Sequence, residues 1–119
     1  MNIEELREYC ISKKATTEGF PFDDVTLVIK VMNKMFAIIS LDGALRISLK
    51  CDPEKAIHLR ERYPEVQAGY HLNKQLWNTI EMGGHLSDTL IKEWIDHSYE
   101  LIVESFPKKL KEELDARRD

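Results

Sequence analysis

The chain has 119 residues, enough for one domain built on one hydrophobic core. With 43% hydrophobic and 32% charged residues its balance is that of an ordinary globular protein, which excludes a disordered or low-complexity chain. No apolar run approaches the ~20 residues of a membrane helix, and a net charge of −4 argues mildly against a polyanionic partner.

The first element reads as a helix. Asn2 is a good N-cap, Glu5 stands where a capping-box carboxylate reaches back, and Ile3, Leu6 and Cys10 share one face. The helix is expected to end near Lys13, before a loop over Thr16-Thr17-Glu18-Gly19-Phe20-Pro21. The acidic start, Met1-Asn2-Ile3-Glu4-Glu5, lacks the basic residues of a signal peptide, so a cytoplasmic location is expected.

Three strands are predicted next. Val25, Leu27, Ile29 and Val31 alternate with Thr26, Val28 and Lys30, and Asn33-Lys34 predicts a turn. Met35–Leu41 is apolar on both faces, the mark of a central strand. Asp42-Gly43 predicts a type I′ hairpin. In the third strand Leu45, Ile47, Leu49 and Cys51 face one way and Arg46, Ser48 and Lys50 the other.

Asp52-Pro53 opens a short helix, with Asp52 as N-cap and Pro53 at a position where its missing N–H costs nothing. Val66–Leu72 and Leu76–Met82 are weaker strand candidates, joined through Asn73-Lys74. Ser87 caps the longest helix, with Leu86 and Ile91 as a hydrophobic staple and Leu90, Ile91, Trp94, Ile95, Leu101 and Ile102 as its buried stripe. Pro107 ends it and opens a polar helical segment, Lys108–Arg117, anchored by Leu110 and Leu114. The order α-β-β-β-α-β-β-α(-α) implies an α+β domain, a single antiparallel sheet with helices packed on one face.

Several spaced motifs resemble the MmcQ/YjbR-like family. They are Lys50-Cys51-Asp52-Pro53-Glu54-Lys55-Ala56, Leu59-Arg60-Glu61-Arg62-Tyr63-Pro64, Gly69-Tyr70-His71-Leu72-Asn73-Lys74 and Trp77-Asn78-Thr79. Phe20-Pro21-Phe22 and Asp96-His97-Ser98-Tyr99 flank them, so the resemblance spans nearly the whole chain. It implies a frataxin-like (CyaY-like) fold over residues 1–119 and DNA binding through two β-hairpin wings, with no established catalytic residues. The chain departs from the family at Gln75-Leu76-Trp77, where members often carry a basic residue and a histidine before the tryptophan.

Charge is uneven along the chain: residues 24–82 sum to +1, the segments on either side to −2 and −3. Lys30, Arg46 and Lys50 fall on the polar side of their strands, with Lys34 at a turn. Such a face can neutralise phosphates, or can simply be a solvated surface that keeps the sheet soluble. His71, Asn73 and Lys74 form a second polar cluster beside Trp77; either these residues read bases, or Asn73 makes a turn and Trp77 belongs to the core. The nucleic-acid candidates are therefore Lys30, Lys34, Arg46, Lys50, His71, Asn73 and Lys74, with double-stranded DNA as the expected partner.

A protein- or ligand-binding adaptor is the alternative. Third comes a metal binder using Glu4, Glu5, Glu8, Glu18, Asp23 and Asp24 as an acidic ridge, although clustered acids on an amphipathic helix are usually its wet face. No cofactor or resident metal is expected. Cys10 and Cys51 lie in apolar patterns and read as small core residues. No nucleophile elbow, Walker loop or zinc-protease motif is present, and no enzymatic activity is expected.

Overall fold

The computed structural model describes residues 1–69 and 72–117. In chain order these form α1 (Ile3–Ile11), β1 (Thr16–Gly19), β2 (Thr26–Val31), β3 (Lys34–Ser40), β4 (Arg46–Lys50), α2 (Pro53–Arg62), β5 (Val66–Ala68), β6 (Trp77–Glu81), α3 (Asp88–Glu104) and α4 (Lys108–Ala116). The strands make one antiparallel sheet in the order β1-β2-β3-β4-β6-β5.

The predicted caps are in place. Asn2 and Glu5 form the reciprocal capping box of α1, Asp52 accepts the Lys55 N–H at the start of α2, and Ser87 accepts the Leu90 N–H at the start of α3. Each satisfies donors that a helix start leaves open, which fixes where the helix begins.

Two expectations need correction. The segment read as a loop over Thr16–Gly19 is an edge strand, paired from Thr16↔Val31 to Gly19↔Val28. It has no apolar alternation because it sits at the sheet's margin; its order comes from pairing with β2, not from burial. Ala15, at φ 62°, makes the reversal that leads out of α1 into it. The turns also differ. The β2–β3 hairpin turns on Met32-Asn33, both at positive φ, so Lys34 is the first residue of β3. At Asp42-Gly43 only Gly43 has positive φ, and the connection is a longer loop over 41–45 rather than a two-residue type I′ turn.

Strand facing follows the sequence. Leu27, Ile29, Ala37, Ile39, Ile47, Leu49, Val66 and Ile80 turn to one side and are buried against the helices, with Leu6 and Cys10 of α1, Ile91, Trp94, Ile95 and Ile102 of α3, and Leu114 of α4. Trp94 also stacks edge-on to Tyr63. No helix among the described residues is long and apolar enough to cross a membrane.

The join between α3 and the sheet rests on Ser98, which is fully buried. The β2–β3 register shifts between Ile29 and Lys30, so that Phe36 has no partner on β2, and the β3–β4 pairing runs out at Ala37↔Leu49. Just past that last pair the Ser98 hydroxyl donates to the Phe36 carbonyl at 2.6 Å and accepts the Lys50 N–H at 2.9 Å. One side chain thus occupies the place of a missing rung. The neighbouring residues of α3 add three further ties. Asp96 accepts from the Tyr9 hydroxyl and the Lys13 ammonium, the Tyr99 hydroxyl donates to the Lys14 carbonyl at 2.7 Å, and His97 Nε2 accepts the Asp52 N–H at 3.2 Å.

Each buried polar group left unpaired costs about 1–3 kcal/mol. Ser98→Ala orphans both a carbonyl and an N–H, so it should lose about 2–4 kcal/mol in urea denaturation, whereas a loss under 1 kcal/mol would show that the bridge is dispensable. The His97 contact requires the neutral ring. Burial, then the nearby Lys55 ammonium, hold its pKa below the ordinary 6.5, against weaker opposing pulls from Asp52, Glu100 and Glu104. The unfolded chain therefore binds the proton first, and stability falls as pH drops from about 7 through the folded-state pKa. His97→Gln should flatten the melting temperature over that window; an unchanged slope would mean that another group titrates there.

Candidate functional site

Among the described residues, the second face of the sheet carries no helix. Residues alternate with the core positions, so Thr26, Val28 and Lys30 of β2, Ile38 and Ser40 of β3, Arg46, Ser48 and Lys50 of β4, and Trp77 and Thr79 of β6 point outward. Lys30, Arg46 and Lys50 are thus on one surface, as the alternation predicts. Ile29, Ala37, Leu49 and Asn78 form a row across the sheet, and Lys30 and Lys50 each stand one residue beyond it. They lie level with each other and two strand spacings apart, roughly 10 Å.

Lys74 joins them from the β5–β6 connection. That connection leads into Trp77, the partner of Lys50, and Lys74 is held there by its carbonyl, which accepts from Arg60 at 2.8 Å. Asn73 shapes the same turn: its side chain accepts the Gln75 N–H and its carbonyl the Trp77 N–H. Lys34 departs from expectation. Its register partner is Val31, a core position, so it leaves the hairpin tip on the helix side of the sheet. It remains exposed at the same end. His71 lies outside the described residues.

Lys30, Lys34, Lys50 and Lys74 meet no carboxylate within ion-pair distance among the described residues; the pairs there join Met1 to Asp88, Arg7 to Glu18 and Lys13 to Asp96. Arg46 is differently placed. It stands at the opposite end of β4, across from Glu81, and its guanidinium donates weakly to the Ser40 hydroxyl at 3.3 Å and the Asp42 carbonyl at 3.5 Å. Its Nε is buried without an acceptor among the described residues. The outer face is therefore polarised, cationic at the hairpin tips and mixed around Arg46.

Between the two ends lies a groove of about 470 Å³ that sequence reasoning missed. Ile38, Ser48 and Thr79 form part of it, and Phe22 from the β1–β2 connection and Leu72 from the β5–β6 connection also line it. The available signal was the apolar outer positions, Val28, Met35 and Ile38, residues that a purely solvated face has no reason to carry. Trp77 is buried, but on this outer side rather than in the helix-facing core. The β5–β6 connection packs on it so closely that a Cβ at Gly69 would come within 2.7 Å of the Trp77 Cβ.

The proposed acidic ridge is taken up locally. Glu5 caps α1, Glu18 pairs with Arg7, and Asp23 accepts the Val25 N–H and the Thr26 hydroxyl, which lowers its pKa. Among the described residues no three acids, histidines or cysteines converge on a point where a metal could sit. The thiols are buried, and burial pushes Cys10 up to about 12 and Cys51 to about 11, far from the thiolate form.

The profile of the YjbR family matches residues 11–101. The chain belongs to the YjbR family. It is 34% identical to the protein YjbR of Escherichia coli K12 over 110 residues, covering 92% of this chain and 93% of that one. YbdF of Escherichia coli O157:H7 is 34% identical over 91 residues, 76% of this chain and 75% of its own. Among solved structures, protein DR2400 of Deinococcus radiodurans, described as a DUF419 domain, superposes with a TM-score of 0.90 at 37% identity, over 98% of this chain and 89% of that one. A Pseudomonas syringae protein superposes with a TM-score of 0.75 at 26% identity, over 85% and 98%. These likenesses carry the α+β architecture.

Gly69→Ala tests the packing of the connection that walls the groove. The new methyl meets the Trp77 backbone oxygen at 3.1 Å as well as its Cβ, so the connection must shift. A loss of about 1–3 kcal/mol is expected in thermal unfolding, with changed tryptophan fluorescence. Wild-type stability and spectrum would show that the connection is not held against the sheet.

Proposed function

We propose that this domain is a non-enzymatic nucleic-acid-binding module that holds the phosphate backbone with Lys30, Lys34, Lys50 and Lys74. One observation carries the reading: in a protein of net charge −4, Lys30 and Lys50 stand level on a helix-free sheet face, with Lys74 on the adjoining connection and Lys34 exposed at the same end, none of them with a carboxylate partner among the described residues. Unpaired ammonium groups can neutralise phosphates and release counterions. The acids of α3 support it from the other direction. Glu100 and Glu104, which form no ion pair among the described residues, sit on the helix layer and disfavour a polyanion on that side. The buried, protonated thiols and the structural use of His97 support a role without catalysis. A ligand-binding adaptor is the second reading, favoured by the groove.

So few phosphate contacts give weak, sequence-independent binding, with a dissociation constant in the range of about 10⁻⁴–10⁻⁶ M. In a salt titration with duplex DNA, each lysine replaced by Ala should lower the log–log slope by about one unit. Combined replacement of Lys30, Lys50 and Lys74 by Ala should abolish binding while leaving the fold intact, since all three lie outside the core. A variant that folds and binds as well as the parent, or a parent that binds neither duplex nor single-stranded DNA at ~50 mM salt, removes the nucleic-acid reading and promotes the adaptor.

A further inference from the structure

We infer that the outer-face groove is a pocket for one unpaired nucleobase, and that the domain prefers single-stranded over duplex nucleic acid. The inference rests on the nucleic-acid reading above and goes beyond it, because the lysines account for phosphate contacts alone.

The groove's volume, about 470 Å³, lies within the roughly 300–1,000 Å³ of small-molecule sites, and so suits one planar ring system with its sugar. Its apolar surface is unusual for a solvated sheet face. Ile38 and Met35 of β3 lie in the groove, and Phe22 and Leu72 line it from the two flanking connections. Phe22 is 68% exposed and Phe20, two residues earlier, is 49% exposed. Exposed phenyl rings on a short connection beside an apolar groove are stacking surfaces for bases.

Charge selects the class of occupant. Arg46 lines the groove, but so do Asp23 and Asp42, which leaves the lining net negative. An anion is therefore a poor occupant. A neutral heteroaromatic ring with an acceptor edge fits better, because the Arg46 guanidinium lines the groove and its bonds to Ser40 and Asp42, at 3.3 and 3.5 Å, are long enough to be exchanged for a better acceptor. The Ser48 and Thr79 hydroxyls, 2.8 Å apart, supply further polar contacts in the groove.

The phosphates then fall where the lysines are. Ser48 lies in the groove and Lys50 is the next residue on the same face, roughly 7 Å along the strand. Leu72 lies in the groove, with Lys74 two residues on. A base in the groove thus places its backbone against the cationic end. In a duplex the bases are stacked and paired, and only an unpaired or extruded base reaches such a pocket.

The test is fluorescence anisotropy with three labelled DNAs of one guanine-containing sequence: the single strand, its blunt duplex, and the single strand with abasic sites. The single strand should bind about 10-fold more tightly than either of the others. Phe22→Ala, at an exposed position that the fold does not need, should bring the single strand down to the duplex level with an unchanged salt slope. Arg46→Gln should do the same. The lysine variant should instead weaken all three DNAs and flatten the slope. If the abasic strand or the duplex binds as tightly as the single strand, or Phe22→Ala has no effect, the base pocket is overturned and the phosphate-binding role stands. If none of the three DNAs binds, both fall.

Discussion

The Ser98 hydroxyl sits where two strands separate, and the arrangement of the layers follows from that contact. At Phe36 the β2–β3 ladder carries an extra residue, and extra residues bend a strand and leave its backbone groups without partners. Those groups lie beneath α3, out of reach of water, so they must be satisfied by the protein. Ser98 serves the carbonyl of one strand and the N–H of the other. The same segment fastens α3 to α1 through Asp96 and to the N-terminus of α2 through His97. Three helices are thereby gathered on one side of the sheet by four consecutive residues of α3.

Concentrating the helices on one face leaves the other bare, and the consequences are electrostatic as well as steric. Carboxylates on the helix layer are partly spent on internal work, as Asp96 is with Tyr9 and Lys13. Lysines on the bare face have no such work among the described residues. A net charge of −4 therefore says little about the field that a partner meets at the hairpin tips. Segment sums along the sequence already hinted at this, because five of the six strands, β2 to β6, lie in the one stretch with a net positive count.

How legible was this in the sequence? The helix caps were readable because a cap is a local contract between residues three apart, as at Asn2 with Glu5. Strand facing in β2 and β4 was readable because burial imposes a period of two, and so were the outward positions of Lys30, Arg46 and Lys50. Thr16–Gly19 was not, since an edge strand held by pairing alone leaves no apolar pattern. The turn at Met32-Asn33 was missed by one residue because Met at positive φ is uncommon, and that single step moved Lys34 to the other side of the sheet. Trp77 illustrates the remaining gap. Its size announced burial, but only the β5–β6 connection folding over the outer face decides against which side.

That connection also explains why the bare face is a groove and not a plane. A sheet whose second face is wet normally alternates polar residues outward, yet β3 places Ile38 there. Such a residue is stable only if something shields it. Leu72 and Phe22, from connections at opposite margins of the sheet, line the groove with Ile38 and leave a gap between them. The gap persists because each connection is pinned by its own bonds, the first through Asp23 to Val25 and Thr26, the second through Asn73 and Gly69 to Trp77. Walls held at their bases cannot close over the floor. The apolar position at Ile38 is thus sheltered at its sides by two connections and open between them, which is what distinguishes this face from an ordinary solvated sheet surface.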